Sequence, residues 1–178
     1  DKRKFKDINV SLLGLGTMRL PCETEQKRES NRNIDYDKAQ SLVDLAYKNG
    51  VNYFDTAYMY HCGKSEAFIG YALNKYPRDT YFIADKLPIW LCDTKEDMKR
   101  VFEKQLERTG MDYFDFYLLH SLDNENFEKC EKFYAYDFLK KMQKEGKIKY
   151  IGFSFHGTVD DLRNIVSAHK WDFAQIQM

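Results

Sequence analysis

The sequence predicts an α/β fold with a parallel sheet, a (β/α)8 TIM barrel preceded by a short β-hairpin. Short apolar and aromatic runs typical of strands recur at roughly 25 to 35 residue intervals, and a segment of helical periodicity separates each from the next. Such connections produce parallel strands with right-handed crossovers. No G-x-G-x-x-G sequence follows a first strand, as an open dinucleotide-binding sheet would require, so a barrel is favoured. About five βα units can be counted, and we expect residues 1–178 to form a single barrel domain that is incomplete at its C-terminus.

The first 33 residues precede this regular alternation. Two extended pieces, residues 5–10 and 12–18, predict a small hairpin ahead of the main domain. The following residues, 21–33, are polar and charged with almost no apolar content, and they predict a loop.

Capping residues mark where the predicted helices begin. Asp35 or Asp37 starts the first helix, and Gly50 ends it. Thr94 is followed three residues later by Asp97, a pattern that resembles a capping box, and Thr158 with Asp161 starts another helix. The predicted strands are residues 51–54, 81–84, 113–119, 148–153 and 173–178, and the helix between the third and fourth strands covers residues 127–145.

Charge and composition narrow the class of protein. The chain has 28 basic and 28 acidic residues, so it has no long-range attraction for nucleic acid or an anionic membrane. Its apolar runs are far shorter than the ~20 residues of a membrane span, and its charged first residues predict no signal peptide. Four scattered cysteines without a C-x-x-C pair indicate reduced thiols rather than a metal site. We therefore expect a cytoplasmic protein with no metal ligands and no nucleic-acid or membrane partner; the sequence does not indicate an oligomeric state.

Polar residues with catalytic chemistry follow the ends of successive predicted strands. In a parallel barrel these ends form the working face. Taken singly, each residue has a structural interpretation, such as a helix cap for the aspartate or ordinary packing for the histidine. Their occurrence at one strand end after another favours a catalytic site. They are Asp55 and Tyr60 after the first strand, Lys86 after the second, His120 after the third, Ser154 and His156 after the fourth, and Gln175 within the fifth.

Two segments and one lysine together resemble the aldo-keto reductase family. They are residues 54–60 (FDTAYMY), Lys86 and residues 113–120 (YFDFYLLH). The resemblance implies reduction of an aldehyde or ketone, a small-molecule carbonyl substrate, and NADP or NAD as cofactor. The catalytic tetrad it implies is Asp55, Tyr60, Lys86 and His120, and the cofactor-binding residues it implies are Gly16, Thr17, Met18, Asp55, Ser154 and Gln175.

The sequence departs from the family pattern at one carboxamide contact. Phe155, followed by His156, stands where many members have asparagine. Residues 87–90 and 152–157 look more like a bacterial and archaeal branch of the family. Members of that branch often carry an iron-sulfur motif in a longer C-terminal region. The resemblance thus implies a 4Fe-4S cluster only in a region that these residues do not include.

The implied mechanism gives each member of the tetrad a role. Tyr60 protonates the developing alkoxide, although an ordinary phenol has a pKa of about 10 and needs a neighbour that favours its ionised form. Lys86 would lower that pKa, Asp55 would pair with Lys86, and His120 would hydrogen-bond the substrate oxygen. The alternatives are a non-catalytic binding or regulatory protein of the same family, and an unrelated metal-dependent barrel, for which the expected H-x-H pattern is absent.

Overall fold

The structure is a computed structural model that describes residues 1–23 and 33–177. The chain divides into two compact units. The first unit comprises Asp1–Ala84 and Glu107–Met111, and the second comprises Asp85–Leu106 and Asp112–Met178. Most of the predicted polar loop, residues 21–33, lies outside the described residues.

Strands and helices alternate along the chain after an N-terminal pair of strands. The strands are β1 (Lys2–Phe5), β2 (Ile8–Ser11), β3 (Leu15–Gly16), β4 (Tyr53–Asp55), β5 (Phe82–Leu87), β6 (Phe114–Leu122), β7 (Ile148–Phe155) and β8 (Phe173–Ile176). The helices are α1 (Tyr36–Lys48), α2 (Lys64–Leu73), α3 (Lys95–Thr109), α4 (Asn124–Phe133), α5 (Ala135–Lys144) and α6 (Val159–Ala168). Short 3-10 turns are formed by Tyr60–Gly63, Arg78–Thr80 and Ile89–Leu91.

The sheet has the topology that the alternation predicts. Strands β1 and β2 pair antiparallel, whereas β3 to β8 form a six-stranded sheet in chain order. The pairings of β3 with β4, β4 with β5, β6 with β7, and β7 with β8 are all parallel. The predicted parallel α/β architecture is therefore confirmed.

In the first unit, local sequence signals set the bounds of α1. Asp35 caps the helix, since its carboxylate accepts the backbone N–H of Lys38 at 3.1 Å. Ala39 and Val43 are the buried residues of α1. The helix stops before Gly50, whose φ of +88° a glycine adopts without strain. Of the two predicted caps, Asp35 is the one used.

The hairpin is present, but its strands differ from the predicted pieces. The chain reverses at Lys6 and Asp7, so both hairpin strands lie within residues 2–11. The second predicted piece, residues 12–18, does not join the hairpin. Instead, Leu15–Gly16 pairs parallel with the end of β4, which makes six strands in the sheet rather than five. A two-residue strand is too short to show the period-2 pattern by which strands are recognised in a sequence.

In the second unit, the capping box predicted at Thr94 forms. Thr94 Oγ1 accepts the backbone N–H of Asp97 at 3.2 Å, and the Asp97 carboxylate accepts the backbone N–H of Thr94 at 2.9 Å. Thr158 and Asp161 make the same reciprocal pair at the start of α6.

The single helix predicted over residues 127–145 is wrong. It is two helices, α4 and α5, which meet at Tyr134, a residue with a left-handed φ of +58°. Cys130 in α4 and Leu139 in α5 are both buried, so each helix directs its own apolar face inward. Because apolar residues continue at helical spacing across residue 134, the sequence pattern does not reveal the break between the two helices.

Candidate active site

The end of β4 places three predicted site residues together in the first unit. Gly16 lies opposite Asp55 in the register of β3 and β4. The backbone N–H and the hydroxyl of Thr17 both donate to the Asp55 carbonyl oxygen, each at 2.9 Å. Asp55 and Thr17 are buried, whereas the next residue, Met18, is exposed. The turn after β3 is therefore fastened to the strand that carries the candidate carboxylate.

A buried cluster of hydroxyl groups extends this connection to α2. Ser65 Oγ donates to Thr17 Oγ1 at 2.6 Å and lies 3.0 Å from Thr56 Oγ1. The backbone N–H of Thr56 donates in turn to the Ala84 carbonyl in β5 at 2.9 Å. Ser65 is not among the residues that the sequence indicates as site residues. A small polar residue at the start of a helix is ordinarily interpreted as a helix cap, and this was the one signal available in the sequence.

Tyr60, the candidate acid, opens the 3-10 turn that follows β4. Its backbone N–H donates to the Ala57 carbonyl at 3.0 Å, and its side chain is partly buried. The next residue, His61, is buried, and its Nε2 accepts the backbone N–H of Leu20 at 3.1 Å. A neutral His61 with Nε2 as acceptor carries its proton on Nδ1. The turn after Tyr60 is thus held by a contact to the segment that follows β3.

In the second unit, Lys86 lies near the end of β5 with 1% of its surface exposed. Its carbonyl oxygen accepts a hydrogen bond from the Gln105 side chain at 3.0 Å. The amide oxygen of Gln105 accepts from the Tyr117 hydroxyl at 2.5 Å. Through this bridge, α3 and β6 hold the backbone of the candidate lysine. Gln105 is a buried polar residue on α3 that is not among the predicted site residues.

His120 lies towards the end of β6 and is partly buried. Its ring is 5.0 Å from that of Trp90, centroid to centroid, with the planes tilted by 52°. Burial, followed by the positive charges of Lys86 and His156, lowers the pKa of His120 from 6.5 to about 3. The imidazole is therefore neutral at physiological pH, and it can donate a hydrogen bond without carrying a charge.

The two residues predicted to hold the cofactor carboxamide lie side by side on neighbouring strands. Ser154 in β7 pairs in register with Gln175 in β8. Ser154 is buried, and its hydroxyl oxygen accepts the backbone N–H of Ser121 at 2.7 Å. That bond occurs at an irregularity in the pairing of β6 with β7, where Ser121 has a φ of +54°. Gln175, in contrast, is exposed.

Family comparisons identify the class of protein to which this arrangement belongs. The model of the aldo/keto reductase family matches residues 12–178. The chain belongs to the aldo/keto reductase family. Curated relatives include an aldo-keto reductase of Gibberella moniliformis, which is 30% identical over 98% of this chain and 52% of its own length. The NADH-specific methylglyoxal reductase of Escherichia coli is 27% identical over 95% of this chain and 55% of its own length.

Solved structures of aldo-keto reductases share the fold. The holo form of an aldo-keto reductase from Bacillus halodurans has a TM-score of 0.76 and 26% identity, over 99% of this chain and 57% of that one. An aldo-keto reductase from Klebsiella pneumoniae in complex with NADPH has a TM-score of 0.68 and 25% identity, over 93% of this chain and 52% of that one. The predicted fold class is thus confirmed. The chain spans about half the length of the curated relatives it matches.

Neither a metal cluster nor a membrane-spanning helix is found in the part of the chain that the structure describes. Within residues 1–23 and 33–177, no group of three or more His, Cys, Asp and Glu side chains could hold a metal ion. Over the same ranges, no helix is both long enough and apolar enough to cross a membrane. The single-domain organisation, the cytoplasmic location and the iron-sulfur cluster in a longer C-terminal region stay predictions.

Proposed function

We propose that the protein is an NAD(P)H-dependent reductase that converts a small aldehyde or ketone to an alcohol. The observation that carries the proposal is a buried lysine whose charge helps to keep a histidine neutral, both within the second unit. A buried ammonium is costly unless it is compensated or used. Lys86 is such an ammonium, and its charge contributes to the low pKa of His120. Both residues belong to the tetrad that the family resemblance implies.

Tyr60 is proposed as the general acid. A carbonyl becomes an alcohol when a hydride reaches its carbon and a proton reaches its oxygen, and Tyr60 supplies that proton. Because a phenol with a pKa of about 10 is a weak acid at neutral pH, the reaction needs an ammonium that favours the phenolate. Lys86 is proposed for this role, and Asp55 is proposed to compensate its charge, as the family resemblance implies.

His120 is proposed to bind the substrate oxygen. A neutral imidazole donates one hydrogen bond to a carbonyl oxygen and stabilises the negative charge that develops there. An imidazolium would compete with Tyr60 as proton donor. The pKa of about 3 leaves His120 neutral across the physiological range, so proton transfer is assigned to the tyrosine.

The turn after β3 carries three of the residues that are proposed to hold the cofactor. The bound nicotinamide supplies the hydride, which no side chain can provide. A methyl group added at Gly16 would meet nothing within 4 Å, which indicates open space above the turn. The Thr17 hydroxyl donates inward to Asp55, so Thr17 is proposed to shape the turn while Met18 is exposed beside it. Ser154 and Gln175 are proposed to bind the carboxamide.

Two relatives guide the choice of substrate and cofactor. One is named an NADH-specific methylglyoxal reductase and another, from Bacillus subtilis, a glyoxal reductase. We propose small aldehydes of this kind as substrates for the protein. Turnover of methylglyoxal and glyoxal with NADH and with NADPH, followed by loss of absorbance of the reduced nicotinamide, measures both preferences at once.

The decisive experiment is Tyr60→Phe in the full-length protein. Removing the hydroxyl removes the proton donor, so kcat is expected to fall by ~10²–10⁴-fold while the Kd of the cofactor stays within twofold. Tyr71→Phe is the matched control, because Tyr71 lies on α2 with 63% of its surface exposed. A Tyr60→Phe enzyme that retains wild-type kcat would refute the role of Tyr60. Absence of turnover in the wild-type protein would favour the non-catalytic alternative.

A further inference from the structure

The loop that carries Tyr60 has an unfavourable backbone conformation. We call residues 58–63 the Tyr60 loop; it connects β4 to α2 within the first unit. Its last three residues, His61, Cys62 and Gly63, have φ angles of +49°, +54° and +82°. The left-handed region costs a non-glycine residue about 1 kcal/mol or more, and two of the three are not glycine. Contacts from outside the loop must therefore hold it in this form.

Arg108, in the last turn of α3, supplies such contacts at both ends of the loop. At the start of the loop, its guanidinium carbon lies 4.4 Å from the centroid of the Tyr58 ring. Arg108 Nη1 also lies 3.5 Å from the Tyr58 carbonyl oxygen. At the end of the loop, a methyl group on Gly63 would come within 3.0–3.1 Å of three guanidinium atoms. The guanidinium is thus packed directly against the Gly63 backbone.

The same guanidinium is anchored on α2. Arg108 Nη1 donates to Glu66 Oε2 at 2.8 Å. Glu66 is fully buried, and the Arg108 side chain is 25% exposed. A carboxylate taken out of water needs a nearby cation, so the ion pair keeps the guanidinium at this place. The first turn of α2, the two ends of the Tyr60 loop and the last turn of α3 therefore meet at one side chain.

Arginine suits this arrangement and lysine does not. The guanidinium lies over the Tyr58 ring while its Nη1 donates to the Glu66 carboxylate, and a planar, delocalised cation suits both contacts. A lysine ammonium can compensate the charge of Glu66 but has no plane to lie against Tyr58 and Gly63. The Arg108→Lys substitution therefore separates charge compensation from packing against the loop.

We propose that Arg108 is a positioning residue that holds the Tyr60 loop in its reactive conformation. This inference rests on the proposed function of Tyr60 as general acid. Arg108 acts through the loop, which it contacts at Tyr58 and Gly63, and its ion pair with Glu66 fixes the guanidinium. A displacement of about 1 Å in a catalytic group can cost roughly 100-fold in rate. Loss of the contacts is therefore expected to reduce turnover more than cofactor binding.

The test compares Arg108→Lys and Arg108→Ala with Arg100→Ala in the full-length protein. Arg100 also lies on α3, with 74% of its side chain exposed, and it pairs only with Asp97 among the ion pairs described. The measurements are kcat, KM and cofactor Kd, together with hydrogen exchange of the backbone amides of residues 57–63. Arg108→Lys is expected to lower kcat about tenfold or more, to leave the cofactor Kd within twofold, and to speed exchange in the loop. Arg100→Ala is expected to change none of these.

If the ion pair of Arg108 with Glu66 only stabilised the fold, a different result would be expected. Arg108→Lys would have a lower melting temperature while the folded enzyme kept wild-type kcat, and that result would overturn the proposal even if loop exchange were faster. The lysine variant retains a cation opposite Glu66, so it keeps the test valid if Arg108→Ala fails to fold. Tyr60→Phe is measured in parallel. If that variant is slow and Arg108→Lys is not, only the positioning role is refuted; if Tyr60→Phe is fully active, the proposed function is refuted.

Discussion

Replacing Gly70 with alanine should destabilise the protein, although alanine has a higher helix propensity than glycine. Gly70 lies in α2, where its Cα faces the last turn of α3 within the first unit. A methyl group added there would lie 2.1 Å from the Thr109 carbonyl oxygen, 2.7 Å from its carbonyl carbon and 3.0 Å from its Cα. All three are backbone atoms, so no side-chain rotation relieves the overlap.

The magnitude follows from two opposing effects. Alanine is favoured over glycine inside a helix by about 1 kcal/mol. Ordinary contact begins near 3.4 Å, so the two helices must separate by about 1 Å at this point. Forcing extra volume into a packed contact typically costs about 1–3 kcal/mol, and backbone-to-backbone overlap belongs at the upper end. We expect a net loss of about 2 kcal/mol in the free energy of unfolding.

Urea denaturation of the full-length protein measures this loss. The midpoint of Gly70→Ala should fall without a change in slope. Gly16→Ala is the control for stability, because a methyl group at Gly16 meets nothing within 4 Å. Since Thr109 follows Arg108, the displaced turn should also lower kcat if Arg108 positions the Tyr60 loop. A Gly70→Ala protein as stable as the wild type would refute the close approach of α2 to α3.

Three further predictions concern the second unit. His120 has a pKa of about 3 in the folded protein against an ordinary 6.5, so its contribution to stability is complete above pH 6.5 and is lost as the pH falls towards 3. Urea denaturation at several pH values measures this contribution. Between pH 7 and pH 4, the free energy of unfolding of His120→Gln should fall by about 2 kcal/mol less than that of the wild type, a figure that allows for partial solvent screening. An equal fall in the two proteins would contradict the low pKa of His120. The half-exposed ammonium of Lys149 lies 2.9 Å from the buried Asp115 carboxylate. Lys149→Met leaves that carboxylate without its cation and should lower the free energy of unfolding by about 1–3 kcal/mol. In a double-mutant cycle, addition of Asp115→Asn should recover part of the loss. Gly152→Ala would place a methyl group 2.6 Å from the Phe173 carbonyl oxygen. This overlap should lower the midpoint of thermal unfolding by several degrees. An unchanged midpoint would argue against the register of β7 and β8.

Local signals in the sequence were sufficient to predict most elements, and the family resemblance implied the tetrad, which stays a prediction. Asp35 and the two threonine–aspartate capping boxes act within a few residues of themselves, so their patterns can be read directly. The motif from residue 54 to residue 60 and the histidine at the end of a strand are likewise local. Their convergence is a prediction from the rule that parallel strands end on one face.

The features that the sequence patterns did not predict depend on contacts between residues far apart in the chain. Strand β3 is defined by its pairing with β4, about 40 residues away, rather than by its own two residues. The break at Tyr134 depends on how α4 and α5 each reach the core. Arg108 and Glu66 are 42 positions apart in the chain, so their contact cannot be predicted from sequence spacing.

The sequence alone determined the alternation of strands and helices from α1 onward, apart from the division of α4 from α5, and it indicated the residues proposed for the tetrad, because periodicity, caps and motifs act over a few residues. Tertiary structure decided the charge state of His120, the burial of Lys86 and the contacts of the Tyr60 loop. Each of these depends on how much water is removed and which charges approach from elements distant in the chain, and such environments exist only once the chain has folded.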